Sequence, residues 1–165
     1  MLRLRRPRLG LAFGNTAMSS AASHAHAFYR QVAKERRVWT VRDAGGFPAP
    51  KNRQGTRSQP FWSSLTRVQK IISTVPAYEH FEPFEVTWEE FRDRWVPKLK
   101  RDGLLVGVNW SGAYARGYDI DSAFVRQAVE IQMQALSAEP GASPNGGPAE
   151  RVGKSEVGGG PPSVS

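Results

Sequence analysis

Apolar residues recur at alternating helical and strand spacings from about residue 20 to residue 136, and that alternation marks out the folded part of the chain. Ala25, Phe28, Val32 and Ala33 share one helical face. They predict a first helix over about residues 20–36, ending in Lys34, Arg36 and Arg37, cations that suit a helix C-terminus. Val38 to Val41, β-branched and aromatic, reads as a strand. Gly45, Gly46, Pro48 and Pro50 break the pattern, and a polar loop with Lys51, Arg53, Gly55 and Arg57 leads into Pro60, Phe61, Trp62 and Ser63. The expectation is a long-looped β-hairpin. Ser64 or Thr66 is placed to cap the next helix, whose Val68, Ile71, Ile72 and Val75 follow the i, i+3, i+4, i+7 stripe until Pro76 stops it.

Phe84 and Val86 alternate with Glu85 in a short strand, and Thr87 with Glu90 makes a capping box. The helix that follows is expected to bury Trp88, Phe91, Trp95 and Leu99. Pro97 lies within it and must kink or interrupt it, because its ring removes a backbone donor and crowds the preceding turn. Asp102 and Gly103 close it. Leu104 to Trp110 is the strongest strand candidate, and Ser111 and Gly112 begin a turn. Asp121 caps a last helix with Val125, Ala128, Val129, Gln132, Met133 and Leu136 on its inner side. Helices and strands in this order, with a hairpin among them, predict an α+β fold. Its small antiparallel or mixed sheet of about four to five strands is packed with about four helices, rather than being doubly wound and parallel.

Composition narrows this to one domain, residues 18–137. Sixteen of the seventeen Phe, Tyr and Trp residues fall between Phe28 and Phe124, so the core lies there. The chain has no cysteine, which excludes disulfides, thiolate metal sites and thiol catalysis. It has no run of eighteen apolar residues, so no membrane span is expected and a cytoplasmic protein is the default. Residues 1–17, with four arginines and no acid, read in three ways: a secretory signal, an organellar transit peptide, or translation that truly begins at Met18. The last is preferred, since Met18 leads straight into the first helix. Residues 138–165 are rich in Gly, Pro and Ser and cannot bury enough to offset their ordering entropy, so a disordered tail is expected. Gly153, Lys154 and Ser155 there resemble the end of a phosphate-binding loop, but position 148 is Pro where that motif needs Gly.

The formal charge of +8 shrinks to +5 for the domain once Arg3, Arg5, Arg6, Arg8 and the tail are set aside. Nucleic acid is therefore not the expected partner. The distribution says more than the total. From Ala44 to Tyr78 the chain has five cations (Lys51, Arg53, Arg57, Arg67 and Lys70) and no acid, whereas Glu79 to Asp93 carries six acids against one arginine. If the hairpin loop and the next helix start lie together, they offer an anion a surface, with Phe47 or Trp62 to stack on a base. The plainer reading is two ordinary solvated faces. Between these stands complementarity, in which the basic and acidic patches pair between subunits or receive a protein partner.

Catalytic signals are weak. His24 and His26 sit two apart and cannot face the same way on a helix, which reads as an exposed pair rather than metal ligands. His80, beside Glu79 and Glu82 in a loop, has no identifiable nucleophile. Ser63 and Ser64 lack the glycines of a nucleophile elbow and read as helix entry. Asn109, Trp110 and Ser111 match a glycosylation triplet that carries no weight without secretion. No catalytic residue, metal or cofactor is assigned.

Several blocks together are more distinctive: Val38-Trp39-Thr40-Val41, Gly45-Gly46-Phe47-Pro48, Pro60-Phe61-Trp62-Ser63-Ser64, the Trp88-to-Trp95 helix and Val106-Gly107-Val108-Asn109-Trp110. In this order they resemble a small bacterial family, domain of unknown function 2750, over about residues 20–136. The resemblance implies a bacterial cytoplasmic protein and brings no activity, cofactor or catalytic residue. The functional expectation is a non-enzymatic binding or regulatory module. It would engage another protein, or itself, through Lys51, Arg53, Arg57, Trp62, Arg67 and Lys70. The alternative is an anion- or nucleotide-binding protein, including an enzyme acting on a phosphorylated small molecule.

Overall fold

The structure is a computed structural model that describes residues 20–52 and 54–138. Expectations for residues 1–17 and for the tail beyond Ala138 lie outside the described residues. Helix α1, Ser20–Glu35, opens the domain and is followed by strands β1, Arg37–Arg42, and β2, Ser58–Phe61. Helix α2, Leu65–Thr74, a 3-10 turn at Pro76–Tyr78 and strand β3, Glu82–Thr87, come next. A continuous rod over residues 88–101 is α3. Strands β4, Leu105–Ser111, and β5, Arg116–Ile120, then lead to the last helix α4, Ser122–Ala138. The fold is α+β, as the pattern predicts.

The five strands form two sheets. β1 pairs antiparallel with β3, from Arg37 opposite Thr87 to Arg42 opposite Glu82. β2 runs parallel to β4, which in turn pairs antiparallel with β5. The expected hairpin between β1 and β2 therefore does not form. What remains of it is a single bridge, where Trp39 and Trp62 exchange two backbone hydrogen bonds of 2.8 and 2.7 Å. The reason is Pro60. The next bonded pair along an antiparallel ladder lies two residues on, Val41 with Pro60, and proline has no N–H to donate there. Thr40 Oγ1 instead donates to the Pro60 carbonyl at 2.8 Å, a second tie between the two sheets beside that bridge.

Local signals place the helix ends. Ser64 Oγ accepts from Arg67 N, Thr87 Oγ1 accepts from Glu90 N, and Asp121 Oδ1 accepts from Ala123 N at 2.8 Å. In α3 the expected disturbance at Pro97 appears just upstream as a π-turn over Phe91–Trp95, after which Pro97 sits in the first turn of a fresh α-helical segment where no N–H is needed. Leu104 N donates to Leu99 O at 2.9 Å and Gly103 takes φ +66°, the left-handed cap that ends the rod.

Two cores flank the sheet. The larger joins α1, α3 and α4 through Phe28, Val32, Phe61, Trp95, Val106 and Val129. The smaller, under α2 and the 3-10 turn, holds Val41, Trp62, Val68, Ile71, Tyr78 and Trp110. Phe61 and Trp62 go to opposite cores because neighbouring strand residues point to opposite faces. Val108 and Trp110, two apart, should share a face. They do not, because the β4–β5 register shifts between Val108 and Ser111 and Asn109 adopts φ +45°, a bulge that turns Trp110 over to the α2 side. Leu136, expected inside, is exposed near the end of α4.

Candidate functional site

Trp110 is the pivot of the surface on which the predicted cations stand. Its indole lies flat across two strand glycines: a Cβ on Gly107 would meet the ring at 2.2 Å, and one on Gly117 would meet it at 2.8 Å. Glycine within a strand marks close approach of another group, and here the group is this ring. Beyond Trp110 the β4–β5 turn projects into solvent, with Tyr114 80% exposed at its tip.

A cleft opens on each side of this turn. The first, of about 510 Å³, lies between the turn and α2 and is lined by His24, Arg67, Lys70 and Ser111 with no carboxylate. The second, of about 370 Å³, lies between the turn and the β1–β2 connection and includes Lys51, Asn52, Tyr78, Arg116 and Asp119. Trp110 lines both. Burial pushes the Tyr78 phenol up to about 12, so the ring enters its cleft as a neutral hydroxyl. The β1–β2 connection is folded on itself: Asn52 Oδ1 accepts from Gln54 N and Thr56 N at 3.0 and 2.9 Å, and Lys51 bridges to Arg57.

The cations expected from the sequence divide accordingly. Lys51 belongs to the second cleft, and Arg67 and Lys70 to the first. Arg57 is exposed but spends its Nε on the Ala49 carbonyl at 3.0 Å. Arg53 lies outside the described residues. Trp62, expected as a stacking surface, must be corrected: it is fully buried, and its Nε1 donates to the Trp110 carbonyl at 2.9 Å. Phe47 likewise packs inward against Phe84 and Trp95.

The acidic patch is also corrected. Arg36 pairs with Glu89, Arg37 with Glu85 at 3.2 Å and Arg42 with Glu82 at 2.8 Å, so the β1–β3 ladder and its edge absorb these acids. Arg92 holds Asp93 at 2.6 Å and keeps that carboxyl below its usual range. Glu89 is lowered too, by the backbone hydrogen bond at its own position and by the Arg36 guanidinium. On the other side, Lys51, Arg57, Arg67, Lys70 and Arg116 have no carboxylate at ion-pair distance among the described residues. Among the described residues the cations beside the two clefts are thus unpaired, as Arg30, Lys34, Arg94, Lys98 and Lys100 elsewhere also are, while four of the six acids of residues 79–93 are matched.

Sequence reasoning missed the buried polar centre behind the first cleft. Asn109 Oδ1 accepts from Ser63 N at 2.9 Å and its Nδ2 donates to the His24 carbonyl at 3.1 Å, while Ser63 Oγ lies 2.8 Å from Gln31 Oε1. His24 is therefore not half of an exposed pair. It turns inward with Nδ1 3.3 Å from Ser111 Oγ, while His26 faces solvent. His80 contacts Asp43 Oδ2 at 3.4 Å. Among the described residues no group of three His, Asp or Glu side chains is placed to hold a metal ion, and no helix is long and apolar enough to cross a membrane. Asp119, Tyr114 and Arg116 were also missed, although Gly107 and Gly117 on either side of Trp110 were a readable sign of a crowded ring.

No curated protein matches this chain, and no solved structure matches it. A family profile does match, over residues 25–128, which runs from within α1 to the first turns of α4 and takes in the β4–β5 turn and the walls of both clefts except His24. The chain thus belongs to the family described as protein of unknown function, DUF2750.

Proposed function

We propose that the domain is a binding module that holds an acidic segment of another protein against the basic face around the β4–β5 turn. One observation carries this reading: among the described residues Lys51, Arg67, Lys70 and Arg116 stand beside two clefts without carboxylate partners, whereas four of the six acids of residues 79–93 are matched by Arg36, Arg37, Arg42 and Arg92. Unpaired cations with a common outlook raise the local concentration of anions and steer their approach. Selection from a random peptide library on the full chain should enrich Asp- and Glu-rich segments. Arg67→Glu with Lys70→Glu should then remove their binding. Enrichment without acidic character, or binding that survives the double reversal, would refute the reading.

A second reading takes the first cleft alone. Its size suits a small molecule, and with His24, Arg67, Lys70 and the Ser111 hydroxyl on its walls the fitting ligand is a phosphorylated one. A thermal-shift screen of nucleotides and sugar phosphates tests it. A shift lost in Arg67→Gln supports it, and a flat screen discards it.

A further inference from the structure

The second cleft has a feature that unpaired surface cations do not explain. In the β4–β5 ladder Asp119 stands opposite Gly107, and the Trp110 indole occupies the space where a Gly107 side chain would be, with Nε1 2.5 Å from that Cβ position. Residues directly opposite across an antiparallel pair have their Cβ positions roughly 5 Å apart. The indole N–H and the Asp119 carboxylate are therefore neighbours on one face of the sheet.

Both are left incomplete. Trp110 Nε1 and Asp119 Oδ1 are shut off from water and have no hydrogen-bond partner among the described residues. Asp119 Oδ2 accepts from Asn52 Nδ2 at 3.2 Å, and among the described residues no cation pairs with the group even though Lys51 and Arg116 line the same cleft. Native interiors rarely leave a donor and an acceptor unmatched side by side, and a covered carboxylate without a countercharge is the costlier half.

We infer that this cleft binds a free α-amino acid. The ammonium group meets Asp119 Oδ1, the carboxylate accepts from Trp110 Nε1, and Arg116 and Lys51 neutralise it at the mouth. A simple anion is disfavoured by Asp119, and a neutral ligand leaves that carboxylate without a countercharge. A zwitterion whose two charges are joined through one carbon answers an acceptor and a donor one strand spacing apart. The rings of Tyr78 and Tyr114, with Pro50 and Ala77, receive an apolar side chain. Entry parts the single Asn52–Asp119 hydrogen bond, which the ammonium then replaces with a charge-assisted one. This inference goes beyond the acidic-segment reading; it shares Lys51 and Arg116 with it but turns on Asp119 and Trp110, whereas that reading is tested at Arg67 and Lys70, so either can fail alone.

The test is calorimetric titration of the full chain with the common L-α-amino acids, each apolar one also as its N-acetyl and α-amide derivative. At least one apolar amino acid should bind with one-to-one stoichiometry, and blocking either end should weaken it at least about tenfold. Asp119→Asn keeps the shape and should lose at least about tenfold in affinity. Arg116→Gln, an exposed change that leaves the fold alone, should lose several-fold. Silence from every amino acid at millimolar concentration would overturn the inference. So would equal binding of a blocked derivative, or of peptides in place of free amino acids, or unchanged affinity in Arg116→Gln.

Discussion

Position 107 has to be glycine because the ring three residues later lies on it. An alanine Cβ would sit 2.2 Å from Trp110 Cε2, and the indole cannot retreat, since its other edge already rests on Gly117. Gly107→Ala should cost roughly 1–3 kcal/mol, the usual range for overpacking, and lower the thermal midpoint by several degrees. An unchanged midpoint would mean the ring moves freely and the cleft walls are not rigid. Tyr78 gives a second test, in pH. Its folded-state value is raised from 10 to about 12, so the native state holds the proton more tightly; its contribution is complete below pH 10 and is lost as pH rises through about 12. Tyr78→Phe should remove that alkaline loss, on the order of 2–3 kcal/mol in wild type, and equilibrium unfolding followed from neutral pH to pH 12 would show it. Residue by residue, the sequence disclosed what depends on near neighbours. The caps at Ser64, Thr87 and Asp121 were legible because each acts on an N–H two or three residues away. Trp62 was not, because whether a tryptophan faces water or a core depends on strands distant in the chain.

Elements show the same division between local and distant causes. The helical stripes and the strand at Leu104–Trp110 followed from periodicity, and even the break at Pro97 was visible, although its form as a π-turn was not. Strand partners were hidden. The chain suggested β1 with β2 by proximity, yet the decisive atom was the hydrogen that Pro60 lacks, and the parallel pairing of β2 with β4 depends on a connection of more than forty residues. This explanation can be checked directly. In Pro60→Val the restored amide points at Val41 and should exchange with solvent slowly, as a ladder hydrogen bond does. The change in stability should be small, because one added hydrogen bond of about 1 kcal/mol is offset by the greater freedom of the unfolded chain without proline. Fast exchange at residue 60 would show that something other than the missing donor separates the strands. Thr87→Ala should be simpler. It removes the cap on Glu90 N and should cost about 1 kcal/mol by chemical denaturation, without touching either cleft.

For the whole molecule the question is how charge is shared between its faces. The net charge and the two charged blocks were plain in the sequence, but the cancellation of one block was not, because Arg36, Arg37 and Arg42 reach the acids only after β1 and β3 pair. That pairing separates the roles of two sets of arginines and lysines. Reversing Arg37 and Arg42 to Glu would place like charges beside Glu85 and Glu82, so it should destabilise the fold modestly and leave binding at the β4–β5 turn intact. Reversing Arg67 and Lys70 removes no ion pair among the described residues, so it should leave the midpoint almost unchanged and abolish binding of an acidic segment. Salt gives the same contrast in a single protein. Exposed ion pairs contribute little to stability, so raising ionic strength from low to molar should barely move the unfolding midpoint while steeply weakening anion binding. If both quantities fell together, the cations around the turn would be part of what keeps the domain folded. If binding resisted salt, contact would rest on the apolar walls of the clefts and not on the unpaired charge that surrounds them.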